Sequence, residues 1–257
     1  MMDGRGRPKR HRSSSAGDEA MSVEIRSKLY EGKAKIVYAT DKPDLIVQYF
    51  KDDATAFNAQ KRGTIVGKGV INNRVSARMF ELLERRGVPT HYVATLSDRE
   101  MLCRRLDIIK IEVIVRNVVA GSLAKRTGLE EGVVNAQPVL EFYYKSDALG
   151  DPMINDEHVR LLGLATPKEV AWIRRSALRV NSVLRPHMAR RHLTLVDFKL
   201  EFGRAGRRLM LGDEISPDTC RLWDVRTKER LDKDRFRRDM GGVEEAYQEV
   251  YRRLVGA

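Results

Sequence analysis

From residue 29 to residue 50 apolar and polar positions alternate with a period of two, the spacing of a half-buried strand. Over 31–38 the alternation sets Lys33, Lys35 and Val37 on one face and Ala34, Ile36 and Tyr38 on the other. Asp41, Lys42, Pro43 and Asp44 read as a turn before a second apolar run at 45–50, which predicts a hairpin. A polar, glycine-bearing loop is expected over 51–69. The period then becomes helical: Ile71, Val75, Met79 and Leu82 share a face, and Gly87 and Pro89 end the helix. Short strands over 91–96 and 100–106 complete an N-terminal unit, residues 23–106.

A second unit, 107–257, starts with the β-branched run 108–115. Ser122 is expected to cap a short helix that stops at Gly128, and 143–156 reads as turn-rich. Thr166, Pro167 and Glu169 make a helix start with cap, first-turn proline and capping-box glutamate. Val170, Ile173, Ala177, Val180 and Leu184 carry its buried face, and Pro186 is expected to end or kink it. Two strands, 193–202 and 208–215, and a helix over 243–254 close the chain. No internal repeat is visible. The expected fold class is α+β.

Composition narrows the class. The chain has 257 residues, 42% hydrophobic and 33% charged, which fits a globular protein and argues against general disorder. No apolar run approaches the ~20 residues that span a bilayer, so no membrane segment is expected. Residues 1–22 are rich in Arg, Ser and Gly and lack the apolar centre of a secretory signal. They read as a basic, disordered tail, with the fold starting near Val23 and Met21 an alternative start. Cys103 and Cys220 lie far apart without metal-type spacing, so they read as two reduced thiols of a cytoplasmic protein. The net charge is +12, of which the tail holds only +2. A basic surface attracts nucleic acid or phosphate- and carboxylate-rich small molecules, and charge alone does not choose.

The densest local chemistry is LVDFKLEFG at 195–203. Alternation puts Asp197, Lys199 and Glu201 on one face and Phe198, Leu200 and Phe202 on the other. Three charges are costly against a dry core, so their face meets solvent or a polar cleft. If 205–207 form a three-residue loop, Lys199 pairs across from Asp213. Glu201 and Asp213 could then hold Mg²⁺ through carboxylate oxygens while Lys199 meets a phosphoryl group. A solvent-facing salt-bridge ladder is the alternative, and alternation by itself favours it. Gly32, Lys33, Ala34 and Lys35 offer a close-approach glycine beside two lysines, suited to nucleotide phosphates or simply to an exposed strand. Arg116 and Ser122 flank a strand-to-helix junction, a phosphate site or an ordinary serine cap. Two charged stretches, 216–224 and 232–237, read as loops. The five histidines show no zinc spacing.

Taken together, YEGKAK, the GKG-x-x-NN stretch at 67–73, VRNVVAGS, DPMIN, VDFKLEFG, GDEISPD and DKDRFR, in this order, resemble the SAICAR synthetase family over 28–254. One departure is Lys110, where family members commonly have proline. The resemblance implies two mixed α/β subdomains with largely antiparallel sheets and an ATP cleft between them. It implies a ligase that joins L-aspartate to an imidazole ribonucleotide carboxylate through an acyl phosphate, with ATP and Mg²⁺ as cofactors. It casts Lys33, Ala34 and Lys35 as a phosphate clamp and 104–108, with Arg104 and Ile108, as the adenine-receiving hinge. Glu201 and Asp213 resemble the metal ligands, and Lys199 bridges phosphate and carboxylate. Arg116, Ser122 and Arg221 resemble the ribonucleotide-phosphate holders with Asp218 nearby, Arg116 being expected beside Lys199 as a catalytic residue, and Lys233 and Arg237 the aspartate-carboxylate holders. Lys145 and Asp151 are expected in the cleft, Lys145 among the ATP-binding residues and Asp151 as a further metal ligand. A homodimer is expected. A metabolite kinase and a nucleic-acid-binding module are the rivals. The scattered aromatics and the acidic residues inside the richest segments speak against nucleic acid.

Overall fold

The computed structural model describes residues 23–56 and 60–256, so the expectation for the tail lies outside the described residues. Strand β1 (Ile25–Glu31), β2 (Lys35–Thr40), β3 (Leu45–Phe50), β6 (Tyr92–Thr95) and β7 (Glu100–Arg104) form one antiparallel sheet in the order β1-β2-β3-β7-β6. The single strand expected across 31–38 is broken: Gly32 N donates to Lys35 O at 2.8 Å, so Lys33 and Ala34 form a hairpin tip. The hairpin at 41–44 is present, with Leu45 N bonding Lys42 O. The expected loop at 51–69 instead holds a small hairpin, β4 (Asp53–Ala56) with β5 (Lys61–Thr64).

Helix α1 (Lys68–Glu84) packs on this sheet with Met79, Phe80 and Leu83 fully buried. Gly69 is dictated by crowding, since a Cβ there would lie 2.3 Å from the Phe50 carbonyl oxygen. The second sheet runs β10-β9-β8-β11-β12, built from β8 (Asp107–Val118), β9 (Val134–Tyr144), β10 (Met153–Ile154), β11 (Leu193–Ala205) and β12 (Arg208–Gly212). Strand β13 (Cys220–Asp224), expected as loop, also pairs with β11. All the strand pairs are antiparallel. His91 N bonds Leu211 O at 2.9 Å and Leu211 N bonds Pro89 O at 3.0 Å, stitching the two sheets together.

Helix α4 (Pro167–Ala189) covers β11 and β8. Its start has the expected capping box, Thr166 with Glu169. Pro186 does not end it, because the proline sits in the last turn and the helix runs on to Ala189. Against it Phe198, Leu200 and Phe202 are at most 1% exposed, each burial stabilising by about 1.5–3 kcal/mol. Asn117 of β8 and Asn181 of α4 exchange reciprocal amide bonds of 2.8 and 2.9 Å. Helix α2 (Ser122–Thr127) stops at left-handed Gly128 as expected, but Gly121, not Ser122, holds the cap position. Helices α3 (Asp156–Leu161), α5 (Asp234–Arg237) and α6 (Val243–Leu254) complete the chain, α6 lying on α1. One apolar core runs from Ile46 through β11 to Leu254. No described helix is long and apolar enough to cross a membrane, and both cysteines are buried and free.

Candidate active site

Strand β11 is long enough to take two short partners on one edge: β13 pairs up to Phe198, and β12 from Glu201 onward. Between them the chain leaves β12 at Gly212 and turns through Asp213, whose φ of 59° is a left-handed conformation that aspartate tolerates better than most residues. The expected register is off by one residue. The connection is two residues long and Glu201 faces Gly212, so Asp213 lies just beyond the ladder. Lys199 reaches it nonetheless, at 3.2 Å from Oδ2.

The Lys199 ammonium also donates to Glu201 Oε1 at 2.6 Å and to Glu112 Oε1 at 3.1 Å. Lys145 reaches the other Glu201 oxygen at 2.5 Å. From the first sheet Lys35 pairs with Asp213 and, at 3.2 Å, with Glu214. Lys33, at the hairpin tip, bonds Asp147 at 2.9 Å. Burial alone would lower the Lys199 ammonium, but Asp213, Glu201 and Glu112 outweigh it and hold it well above its ordinary value. Lys35 is likewise raised, burial being overcome by Asp213 and Glu214. Burial would raise the Asp213 carboxyl, yet Lys199 and Lys35 keep it below the usual range. His91, beside this group, is pushed down to about 4, by burial first and then by Lys35.

These side chains line a cleft of about 1290 Å³ between the two sheets. Gly32, Lys33, Ala34, Lys35, Arg104, Ile108, Lys145, Asp151, Lys199, Glu201, Asp213, Asp218 and Lys233 all contribute to its wall, so most of the expected site is brought together. Asp151 does not join Glu201 and Asp213 as a third ligand. Its Oδ1 accepts from Ser146 N at 2.8 Å within its own loop, and no group of three or more metal-type side chains is assembled among the described residues.

Arg116, Ser122, Arg221 and Arg237 are absent from the cleft wall and gather instead in a second cluster. Arg116, 1% exposed, donates to Glu141 (2.6 Å), Asp197 (2.9 Å), Ser122 (3.0 Å) and Tyr143 (3.3 Å). Arg221 shares Asp197 at 2.7 Å and binds Asp234 at 2.8 Å, and Arg237 takes the other Asp234 oxygen at 2.6 Å. Arg221 also packs against Gly121, where a Cβ would meet its guanidinium at 2.6 Å. Ser122 is exposed at the front of the cluster, and Arg116 is sealed behind it, so the catalytic place expected for Arg116 beside Lys199 is not where the structure puts it. Sequence reasoning missed Glu112, Glu141, Glu214, Lys68 and Tyr247. Glu112 left a faint signal as a lone acid inside a β-branched strand, and Lys68 sat unassigned within GKG-x-x-NN.

A nucleotide-sized cleft whose lysines face hard carboxylates suits the class of enzymes that handle phosphoryl groups. The chain matches the family model described as SAICAR synthetase over residues 28–254. It is 60% identical over 227 residues to the phosphoribosylaminoimidazole-succinocarboxamide synthase of Chlorobium phaeobacteroides, covering 88% of this chain and 96% of that one. The crystal structure of the Ehrlichia chaffeensis synthase superposes with a TM-score of 0.87 at 44% identity, over 89% of this chain and 98% of that one. A SAICAR synthetase solved in complex with ADP gives 0.86 at 46% identity, over 91% and 98%. The chain belongs to the SAICAR synthetase family, the ATP-dependent ligases of that name in purine synthesis.

Proposed function

We propose that the chain joins L-aspartate to the 4-carboxylate of 5-amino-1-(5-phosphoribosyl)imidazole through an acyl phosphate, giving SAICAR, ADP and phosphate. The convergence of Lys35, Lys145 and Lys199 on Glu201 and Asp213 in one cleft carries this reading. A carboxylate does not acylate an amine directly, because oxide is a poor leaving group. Transfer of the γ-phosphoryl breaks its bond to ADP and forms a bond to a carboxylate oxygen. The aspartate amine then attacks the carbonyl carbon, the C–N bond forms, a proton is lost and phosphate departs. Such chemistry asks the protein for positioning and charge neutralisation rather than for a nucleophile.

Lys33 and Lys35, with the backbone of Gly32 and Ala34, clamp the ATP phosphates, and 104–108 receives the adenine. Lys199 faces both the transferred phosphoryl and the substrate carboxylate, with Lys145 beside it. Each of these lysines is paired with carboxylates, so phosphates that bind there exchange one set of anions for another. Glu201 and Asp213 suit Mg²⁺: both are hard oxygen donors already gathered about one cation, the Lys199 ammonium. Two carboxylates suffice, since Mg²⁺ commonly completes its shell with phosphate and water. When bound, the ion supplies charge neutralisation to the phosphates. Ser122 and Arg221, backed by Arg116, take the ribonucleotide 5′-phosphate, with Asp218 nearby, while Lys233 and Arg237 take the aspartate carboxylates. The subdomain boundary falls at 106/107, and the assembly is a homodimer.

An ADP-release assay that omits each substrate in turn tests the reaction. Release should require the imidazole carboxylate, L-aspartate and Mg²⁺ together, with one amide formed per ADP. Full release without aspartate would return the metabolite-kinase reading instead.

A further inference from the structure

Asp218 is a point where three parts of the chain meet. It lies in the segment between β12 and β13, and its side chain is 4% exposed. Its Oδ1 accepts the Tyr247 hydroxyl of α6 at 2.6 Å. Its Oδ2 faces Lys68 Nζ, at the start of α1, at 2.9 Å and Lys233 Nζ at 3.4 Å. Tyr247 and Lys68 are wholly buried and stand outside the cleft wall, whereas Asp218 and Lys233 belong to it. The backbone is pinned as well: Asp218 N donates to Ser216 Oγ at 3.1 Å, and Lys233 N to Pro217 O at 3.2 Å.

Packing accounts for an aromatic ring at 247, which sits in the main core. It does not account for the hydroxyl, which needs a partner when buried and finds Asp218. Nor does packing account for a lysine at the fully buried position 68, where an apolar residue of the same length would fill the space without the cost of an ion. Both polar groups have one common object, the Asp218 carboxylate. A lysine such as Lys233 is a point charge on a flexible four-carbon stem, so its place in a site depends on what tethers it. Of the three contacts to Asp218, that of Lys233 is the longest. It is therefore the partner freest to turn toward a ligand while the other two stay.

We propose that Tyr247 and Lys68 are positioning residues for the substrate site. Together they fix Asp218 so that it presents the Lys233 ammonium to a carboxylate of the amino-acid substrate. This rests on the reading of Lys233 given above. It makes α6, which stands behind the cleft wall, part of the substrate machinery. Burial would raise the Asp218 carboxyl, but Lys233, Lys68 and the Tyr247 hydroxyl hold it well below the usual range. Burial and the Asp218 charge push the Tyr247 phenol well above its ordinary value. The Tyr247–Asp218 bond therefore stays one between a neutral phenol and a carboxylate through the neutral range, and its contribution should not vary with pH there.

Steady-state kinetics on the full chain test the idea. Tyr247→Phe keeps the ring and removes only the donor. It should raise KM for L-aspartate about five- to tenfold, the scale of one hydrogen bond, with kcat and KM for ATP within about twofold. Lys233→Ala should raise the same KM further, and adding Tyr247→Phe to it should change nothing more, since both act through one contact. A normal aspartate KM in Tyr247→Phe beside a raised one in Lys233→Ala overturns the inference alone. So does a double variant in which the two effects simply add. An unchanged aspartate KM in Lys233→Ala removes the reading of Lys233, and the inference with it. Lys68→Met carries the same expectations and replaces Tyr247→Phe if that variant does not fold.

Discussion

Around Asp197 the polar face of β11 is closed, and around Lys199, two residues on, it is open. At Asp197 both neighbouring strands supply an arginine, Arg116 from β8 and Arg221 from β13, each directly across the ladder. The inner part of the ion network they build, Arg116 with Glu141 and Asp197, is sealed, at 1%, 7% and 4% exposed, while Arg221 on its outer side keeps 18% of its side-chain exposure. At Lys199 the β8 neighbour is Ile114, and the other edge has no strand partner because β13 has ended and β12 has not begun. Carboxylates reach in from Glu112, Glu201 and Asp213 instead, and the Lys199 side chain keeps 25% of its exposure. One alternating pattern thus yields a buried network whose ions cannot be replaced by water and a cleft network whose partners a ligand can exchange. Register and strand length decide which is which.

Breaking the sealed network should cost the most. Arg116→Ala leaves Glu141 and Asp197 buried without their common partner, and a loss of about 3–5 kcal/mol in urea unfolding is expected. A loss below about 1 kcal/mol would show that the network is not closed after all. In the open network the effect should move from stability to rate. Lys199→Ala should lower kcat by about 10²–10³-fold, the scale of removing one charge-stabilising donor. Its melting temperature should stay within a few degrees of the parent, because the carboxylates left behind keep Lys35, Lys145 or water. Unfolding of this variant, or a normal rate, would erase the contrast.

What can be read from the sequence follows the same division between local and distant causes. The capping box at Thr166 and Glu169, the face of α4 and the bounds of α6 are set by neighbours a few residues away, and pattern reasoning finds them. Strand β9 escapes such reasoning, because Pro138 and scattered polar residues hide its alternation. Its ladder with β8 is in fact irregular, slipping between Arg116 and Val118. Lys199 and Glu201 are legible as a candidate from the charges on one strand face, but alternation favours a ladder there until the family resemblance adds Asp213. The same rule misplaces Asp197, which is 4% exposed in the sealed network. The second cluster is not separable from the cleft, because the partners of Arg116 lie 25 and 81 residues away along the chain. Lys68 and Asp218 are 150 residues apart, a pairing that no local pattern encodes.

A smaller effect sharpens the contrast through pH. Glu141 accepts from Arg116 at 2.6 Å and from the Tyr143 hydroxyl at 2.9 Å, and also pairs with Arg126. Burial would raise its carboxyl, but the Arg116 bond and charge prevail and hold it below the ordinary 4.5. As pH falls through that ordinary value the unfolded chain takes up the proton first, so the stability Glu141 contributes is whole above it and drains away below it. Glu141→Gln keeps the shape and removes the charge, and should cost about 1–3 kcal/mol at neutral pH, the scale of a hydrogen bond to a charged group. The gap between the two proteins should narrow steadily as unfolding is repeated at lower pH, and close once the native carboxyl is also protonated. A gap that stays constant down the acid range would mean that shape and packing, rather than the ion pair with Arg116, stabilise this end of β11, and the sealed network would lose its distinction from the open one.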